Sequence, residues 1–407
     1  MNRKQTVMRE WIILILVVTG LAAVCIFAIL ALTSGGKAEK ETGVASEAGS
    51  ETQTGAESEA SAETQNDIAG EANTETQTGE RREGDALQES GSETESATDP
   101  VRTYTLSFAG DCTIGSLVEW QGEEPGDFQS VVGINYAYPL SGVKSVFSAD
   151  DLTVVNLEGT FTTAEEAVEK PYRFKADPAY VQVLAEGSVE AVSASNNHSE
   201  DFFEEGVRDT LAALDGAGIW YTRAGSPLIR ELDGGLLLGI VSYNTVDNRE
   251  DEDVWRASVQ TDIETCQEAG CQLIIGFMHW GTVEYLEKPE DWEVEFAHDM
   301  ADWGCDLIVG GHAHILQRME IYHDVPIFYS MGNFCYGGHL NPNDKDSVIV
   351  QAEYTRDAAA GTVTRSNLRV IPCLVSSRED ANDYCPTPCP EGSSDYLRIL
   401  EHLEWDA

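Results

Sequence analysis

The sequence predicts an α/β domain built on a largely buried sheet, set behind a membrane-spanning run and an acidic linker. Three observations carry that expectation. Strand-like apolar runs alternate with helical patterns from residue 101 onward, one uncharged apolar stretch lies near the N-terminus, and residues 33–100 hold hardly any apolar side chains larger than alanine. The 407 residues suffice for two or three domains, or for one large domain with appendages.

Residues 1–10 carry Arg3, Lys4 and Arg9, and the run 11–32 that follows contains no charge. At ~1.5 Å per residue such a helix crosses a hydrocarbon core of ~30 Å. The basic flank on its N-terminal side places residues 1–10 in the cytoplasm and everything after the run outside the cell. A cleaved signal peptide would have an apolar region of only ~7–15 residues and a small-residue cleavage site. The run therefore reads as an uncleaved, single-pass anchor in the cell membrane. Residues 33–100 are dominated by Glu, Thr, Ser, Ala, Gly and Gln, with ETQTG at both 51–55 and 75–79. Such a segment cannot bury enough surface to offset the entropy of ordering, so it reads as a disordered tether that acidic self-repulsion keeps extended.

The folded domain is expected over 101–375, followed by a tail with a helix over 376–407. Strands are expected at residues 103–110, 151–159, 189–195, 236–244, 271–280, 306–311, 325–333, 347–354 and 367–372. Helices are expected at 178–186, 203–217, 255–269 and 289–303, the last with proline in its first turn, where a missing N–H costs nothing. The later strands follow one another with less helix between them, which predicts a more antiparallel C-terminal portion. The pattern leaves open whether there is one sheet or two stacked sheets.

The whole chain holds 71 acidic and 25 basic residues, and residues 101–407 hold 53 against 18. So acidic a domain repels nucleic acid. It also repels a polyanion unless cations bridge the two. Of nine cysteines, Cys25 lies in the apolar run. Cys385 and Cys389 are spaced for one local disulfide, and no second CxxC-type pair lies nearby to complete a zinc site.

Ligands of open α/β sheets collect outside the carboxyl ends of the strands. Those ends carry Asp111, then Asn156-Leu157-Glu158, then Asn196-Asn197-His198, then His279, then His312-Ala313-His314, then Asn333. Singly, each reads as a turn former, a helix cap or a structural histidine, and His298, His323, His339 and His402 are read that way here. Jointly, four of the eight histidines fall with an Asp, a Glu and an Asn where strands end. Carboxylate, amide and imidazole donors together suit Mn²⁺, Fe²⁺ or Zn²⁺ better than Ca²⁺.

In order, GDCTIG, VVNLEGTF, YRFKADP, SNNHSEDFFEEG, HWGTVEY, GGHAHILQ and YSMGNF resemble the motifs of the CapA family of bacterial capsule synthesis proteins associated with poly-γ-glutamate. The resemblance runs from about Thr103 to Ile371. That family is in turn similar to calcineurin-like metallophosphoesterases, which implies a sandwich of two central sheets flanked by helices and a site for one or two divalent ions. The resemblance assigns Asp111, Glu158, Asn197, His279, His312 and His314 as metal ligands. It assigns His198 as the acid that protonates a leaving group, with Asp201 orienting it. Arg173 and Lys175 would meet a substrate anion, and Asn156, Glu284 and Asn333 would line the substrate side. One departure stands out: Thr113 occupies the position where phosphoesterases carry a histidine two residues after the first aspartate.

Two functions follow as expectations. One is metal-assisted hydrolysis of a phosphoester or a γ-glutamyl amide. The other is a non-catalytic, metal-containing subunit that binds an anionic cell-surface polymer, or its precursor, beside membrane synthase subunits and guides it outward.

Overall fold

Strand β1 (Val101–Thr113) shows why this sequence makes two layers. Tyr104, Leu106 and Phe108 point to one side, and Ala109 and Cys112 join a different apolar cluster. As far as Ala109 this is the period-two alternation of a strand buried on both faces, and the register shift between Ala109 and Asp111 then turns Cys112 to the Ala109 side. The computed structural model describes residues 101–121, 125–247 and 251–405. The expected anchor at 11–32 and linker at 33–100 lie outside the described residues, among which no helix is long and apolar enough to cross a membrane.

The first sheet places β1 between β15 (Asp346–Asp357), antiparallel to it, and β3 (Leu152–Leu157), parallel to it. Beyond β3 lie β6 (Ala191–Ser193) and β7 (Trp220–Thr222); beyond β15 lie β16 (Thr362–Leu374) and β17 (Thr387–Pro388). The end of β1 also pairs in parallel with β14 (Asn333–Tyr336). The second sheet runs in the order β12 (Met319–Tyr322), β13 (Val325–Phe328), β11 (Leu307–Gly311), β10 (Leu273–His279), β9 (Leu236–Asn244), β8 (Leu228–Leu232). Its inner four strands are parallel and its two edges antiparallel. A small third sheet joins β2 (Ser116–Leu117), β5 (Phe174–Ala176) and β4 (Thr160–Phe161).

The two large sheets face each other. Leu106 and Phe108 of β1 share one core with Ile240 of β9, Phe277 of β10, Val309 of β11 and Val350 of β15. Helix Phe203–Ala217 covers the outer side of the first sheet through Leu214, while helices Glu252–Glu268 and Asp291–Trp303 cover the second through Trp255, Ile263, Phe296 and Met300. This resolves the choice between one sheet and two in favour of a sandwich with helices outside.

The expected helix over 178–186 is a 3₁₀ turn, Pro178–Val181, running into a short helix, Gln182–Glu186. Segment 376–407 contains a helix, Ser394–His402, whose Ile399, with Leu403 just beyond it, enters the core between the sheets, while β17 extends the first sheet. The thiols of Cys385 and Cys389 are free. Cys385 Sγ lies 3.5 Å from Ser141 Oγ, whereas Cys389 packs in the inter-sheet core. β17 lies between the two residues and directs them to different surroundings, an arrangement that does not favour the local disulfide.

Candidate metal centre

Parallel strands end together, so the carboxyl ends of β1, β3, β6, β10 and β11 bring residues distant in sequence to one place. Asp111 sits at a register break near the end of β1, buried, with its amide donating to Gly332 O at 2.9 Å. Glycine is required where β11 closes against it, because a β-carbon on Gly311 would stand 2.4 Å from Asp111 Oδ1. The next residue, His312, donates its backbone N–H to Asp111 Oδ2 at 3.1 Å. His312 and His314 have φ of +87° and +58°, a left-handed bend that non-glycine residues rarely adopt. After that bend the two rings of the i, i+2 pair stand 6.2 Å apart, with the His312 ring 5.1 Å from that of His279.

Asp111, Glu158 and His314 each offer a ligand atom, and those atoms lie within 4.8 Å of one another. His279 reaches the same carboxylates, its Nδ1 3.9 Å from Asp111 Oδ1 and its Nε2 3.7 Å from Glu158 Oε1. Asn197 Oδ1 is 2.8 Å from His279 Nε2. Among the described residues, the buried atoms Glu158 Oε1 and His312 Nδ1 have no hydrogen-bond partner. Burying such atoms unpaired costs roughly 1–3 kcal/mol each. The donor set therefore fits a divalent ion: carboxylate oxygens, an amide oxygen and imidazole nitrogens, two of them unpaired.

The electrostatics agree. Burial pushes Asp111 up, and it raises Glu158 to about 8, with Asp111 adding repulsion and His314 opposing. Burial depresses His314, but Glu158 and Asp111 outweigh it and the net shift is upward. Burial holds His279 well below its ordinary value and takes His312 down to about 3. Without a cation burial thus favours the protonated form of Glu158, while it keeps His279 and His312 neutral and able to ligate.

Several expected residues serve a supporting role. Asn156 Nδ2 donates to Asp111 Oδ1 at 2.8 Å and lies 3.3 Å from His279 Nδ1. Asn333 accepts at Oδ1 from His314 Nδ1 at 2.9 Å and donates to His314 O, which in the neutral ring keeps the proton on Nδ1 and leaves Nε2 as the atom that would ligate. Both were expected beside a substrate; the structure shows each hydrogen-bonded to a candidate ligand. Thr113 Oγ1 donates weakly to Glu158 Oε2 at 3.4 Å. His198 Nδ1 pairs with Asp201 Oδ2 at 2.9 Å, and burial lowers its pKa against the pull of Asp201. Glu284 borders an open cavity of about 500 Å³ with Asn197, Thr282, Tyr285 and His312.

Arg173 and Lys175 do not join the cluster. The Arg173 guanidinium is tied to Glu119, and Lys175 Nζ donates to Ala164 O at 2.6 Å and lies over the Phe202 ring. The cation beside the site is Lys170, which sequence reasoning missed; it bridges Asp201 Oδ1 at 2.5 Å and Asn197 O at 2.6 Å. Asn196 was noted only as a neighbour, yet it connects Asn156 Oδ1, Leu157 O and the His198 amide. Of the histidines read as structural, His298 pairs with Glu320 and His323 with Asp302, while His339 caps the amide of Asn341.

The model of the family described as "Bacterial capsule synthesis protein PGA_cap" matches residues 105–337. The PGA biosynthesis protein CapA of Bacillus subtilis (strain 168) is 26% identical over 332 residues, covering 76% of this chain and 81% of that protein. A probable polyglutamine synthesis accessory protein of Mycobacterium tuberculosis (strain ATCC 25618 / H37Rv) is 30% identical over 277 residues, covering 60% and 71%. Among solved structures, the calcineurin-like phosphoesterase YfkN from Bacillus subtilis overlays with a TM-score of 0.42 at 11% identity, covering 75% of this chain and 97% of that one. The family match spans more than half of the chain and takes in Asp111, Glu158, Asn197, His279, His312 and His314: the chain belongs to the bacterial capsule synthesis protein family PGA_cap.

Proposed function

We propose that this protein is a membrane-anchored, extracellular participant in the synthesis, export or processing of an anionic capsule polymer such as poly-γ-glutamate, acting through a metal-dependent, hydrolase-like site. The observation that carries the reading is the convergence of Asp111, Glu158 and His314 within 4.8 Å, with Glu158 Oε1 buried and unpaired. Asp111, Glu158 and His314 would hold one ion, and Asn197, His279 and His312 would serve as further ligands, for one or two ions of Mn, Fe or Zn. Such an ion supplies Lewis acidity toward a phosphoryl or acyl oxygen and toward water. In an acidic domain it also offsets repulsion of a polyanion.

The chain's own residues supply orientation and the proton. Asn156 and Asn333 fix Asp111 and His314. Asp201, tied to Lys170, holds His198 Nδ1, which leaves Nε2 to protonate a leaving group, a contribution of ~10²–10⁴-fold. The uncharged run 11–32 supports anchoring, and a membrane synthase is the partner expected beside it.

The full chain, assayed with Mn²⁺ on phosphoesters and on poly-γ-glutamate against Asp111→Ala and His312→Ala, tests the reading. Metal-dependent turnover lost in both variants supports it, and turnover no greater than in the variants on either substrate overturns it. Thr113 favours a second reading, because a hydroxyl bonded to Glu158 stands where a ligating imidazole would complete a two-ion site. On that reading the filled cleft binds polymer without cleaving it. Polymer binding abolished by chelation, in the absence of turnover, identifies it.

A further inference from the structure

Helix Glu252–Glu268 ends in a Schellman motif. Gly270, at φ +84°, donates its N–H to Gln267 O at 2.9 Å, and Cys271 donates its N–H to Cys266 O at 3.0 Å. This pair of bonds folds the chain back so that the residue after the glycine packs on the residue five positions earlier, a contact normally made by two apolar side chains. Here both positions are cysteine. The neighbouring strand β9 leaves room for them: a β-carbon placed on Gly239 would stand 2.7 Å from Cys266 Sγ and 3.2 Å from Cys271 Sγ. Both sulfurs thus border the small volume that any larger residue at 239 would fill.

We propose that Cys266 and Cys271 form a disulfide that clasps the C-terminal cap of this helix. Cys266 is fully buried and Cys271 is half-buried, which sets the order of events. Cys271 is the thiol that a small-molecule or protein disulfide reaches. Its thiolate attacks that disulfide, forming a mixed disulfide and releasing one thiol. Cys266 then loses its proton to solvent and attacks the Cys271 sulfur, releasing the second thiol. Two protein thiols are oxidised and one external disulfide is reduced to two thiols. Burial raises the Cys266 thiol to about 12, so this sulfur reacts only with a partner delivered next to it. The proposal is independent of the metal-site reading, because the cap lies at the end of the helix bonded to the start of β10, and the metal ligands lie at the opposite, carboxyl ends of the strands.

The test is to oxidise the purified full chain with glutathione disulfide, block free thiols, and digest with a Glu-specific protease, which cuts after Glu264 and Glu268 and so separates the two cysteines. The expected result is a Cys266 fragment joined to a Cys271 fragment, released only by reductant. In Cys266→Ala the expected product is glutathione retained on Cys271, since the resolving thiol is gone. Separate fragments with blocked thiols in the wild type overturn the proposal. So does a bond from either residue to Cys305, which is also buried in this layer, or glutathione that stays on wild-type Cys271. Should Cys266→Ala fail to fold, the wild-type fragment map decides alone.

Discussion

The two sheets bring opposite chemistry to the same site. From the first come oxygens: Asp111 at the end of β1, Glu158 after β3, and Asn197 after β6, with Asn156 and Asn333 supporting. From the second come nitrogens: His279 at the end of β10, and His312 and His314 just after β11. Burial acts on the two sets in opposite directions, pushing Glu158 up to about 8 and His312 down to about 3. Each set lies in a conformation or protonation state that a cation would relieve, and neither sheet alone carries a complete donor set. The site thus reports on the packing of the sandwich as well as on its own residues.

The largest expected effect comes from removing a donor on the oxygen side. Glu158→Gln and Asp111→Ala should each lower affinity for Mn²⁺ or Zn²⁺ more than about 100-fold by calorimetric titration, because the deleted groups are ligands rather than supports for ligands. Equal affinity in wild type and variants would dissolve the contrast between the sheets. Next come the supports. Asn333→Ala, which frees His314 Nδ1, and Asn156→Ala, which frees Asp111 Oδ1, should each weaken metal binding about 10–100-fold without changing the fold measured by circular dichroism.

The pH dependence of the metal-free chain separates Glu158 from His312. Glu158 has a folded pKa of about 8 against an ordinary 4.5, so the folded state holds its proton more tightly, and this group costs stability as pH rises from about 4.5 to about 8. His314 is also raised, and its contribution is present at low pH and lost as pH rises through its folded pKa, which has the same sign. His312 is opposite: its folded pKa of about 3 against 6.5 costs stability as pH falls through that window. Melting temperatures in chelator between pH 4 and 9 should therefore lose their alkaline decline in Glu158→Gln and part of their acid decline in His312→Asn. Unchanged profiles would mean that the carboxylates ionise freely, and the contrast would fail. The smallest effect belongs to Arg173→Ala. Its partner Glu119 is exposed, where such pairs contribute ~0–1 kcal/mol, so metal affinity should stay within about twofold of wild type.

Much of this was legible in the chain itself. The alternation of β1 and the periodicity of helix Phe203–Ala217 are local properties; helix Asp291–Trp303 was expected with Pro289 in its first turn, but it starts after N-cap Glu290, so the proline precedes it and a Glu290–Glu293 capping box closes its start. The cluster of candidate ligands was legible because strand ends are where side chains turn outward and can converge. What was hidden depends on pairs far apart in sequence. That Asn333 serves His314, or that Lys170 rather than Arg173 lies beside Asp201, follows from how loops fold back, and no periodicity records it. The short edge strands β7, β8 and β12 escaped because three to five residues are too few to show a period. Helix Ser394–His402 was expected, but its docking between the sheets was not, since an amphipathic face does not name the surface it will cover.

Elemental analysis by inductively coupled plasma mass spectrometry of the purified full chain, set beside Glu158→Gln prepared identically, tests the central claim most directly. The account predicts one to two equivalents of a divalent transition ion in the wild type and a near-complete loss in the variant. Wild-type protein that carries no more metal than Glu158→Gln would contradict it.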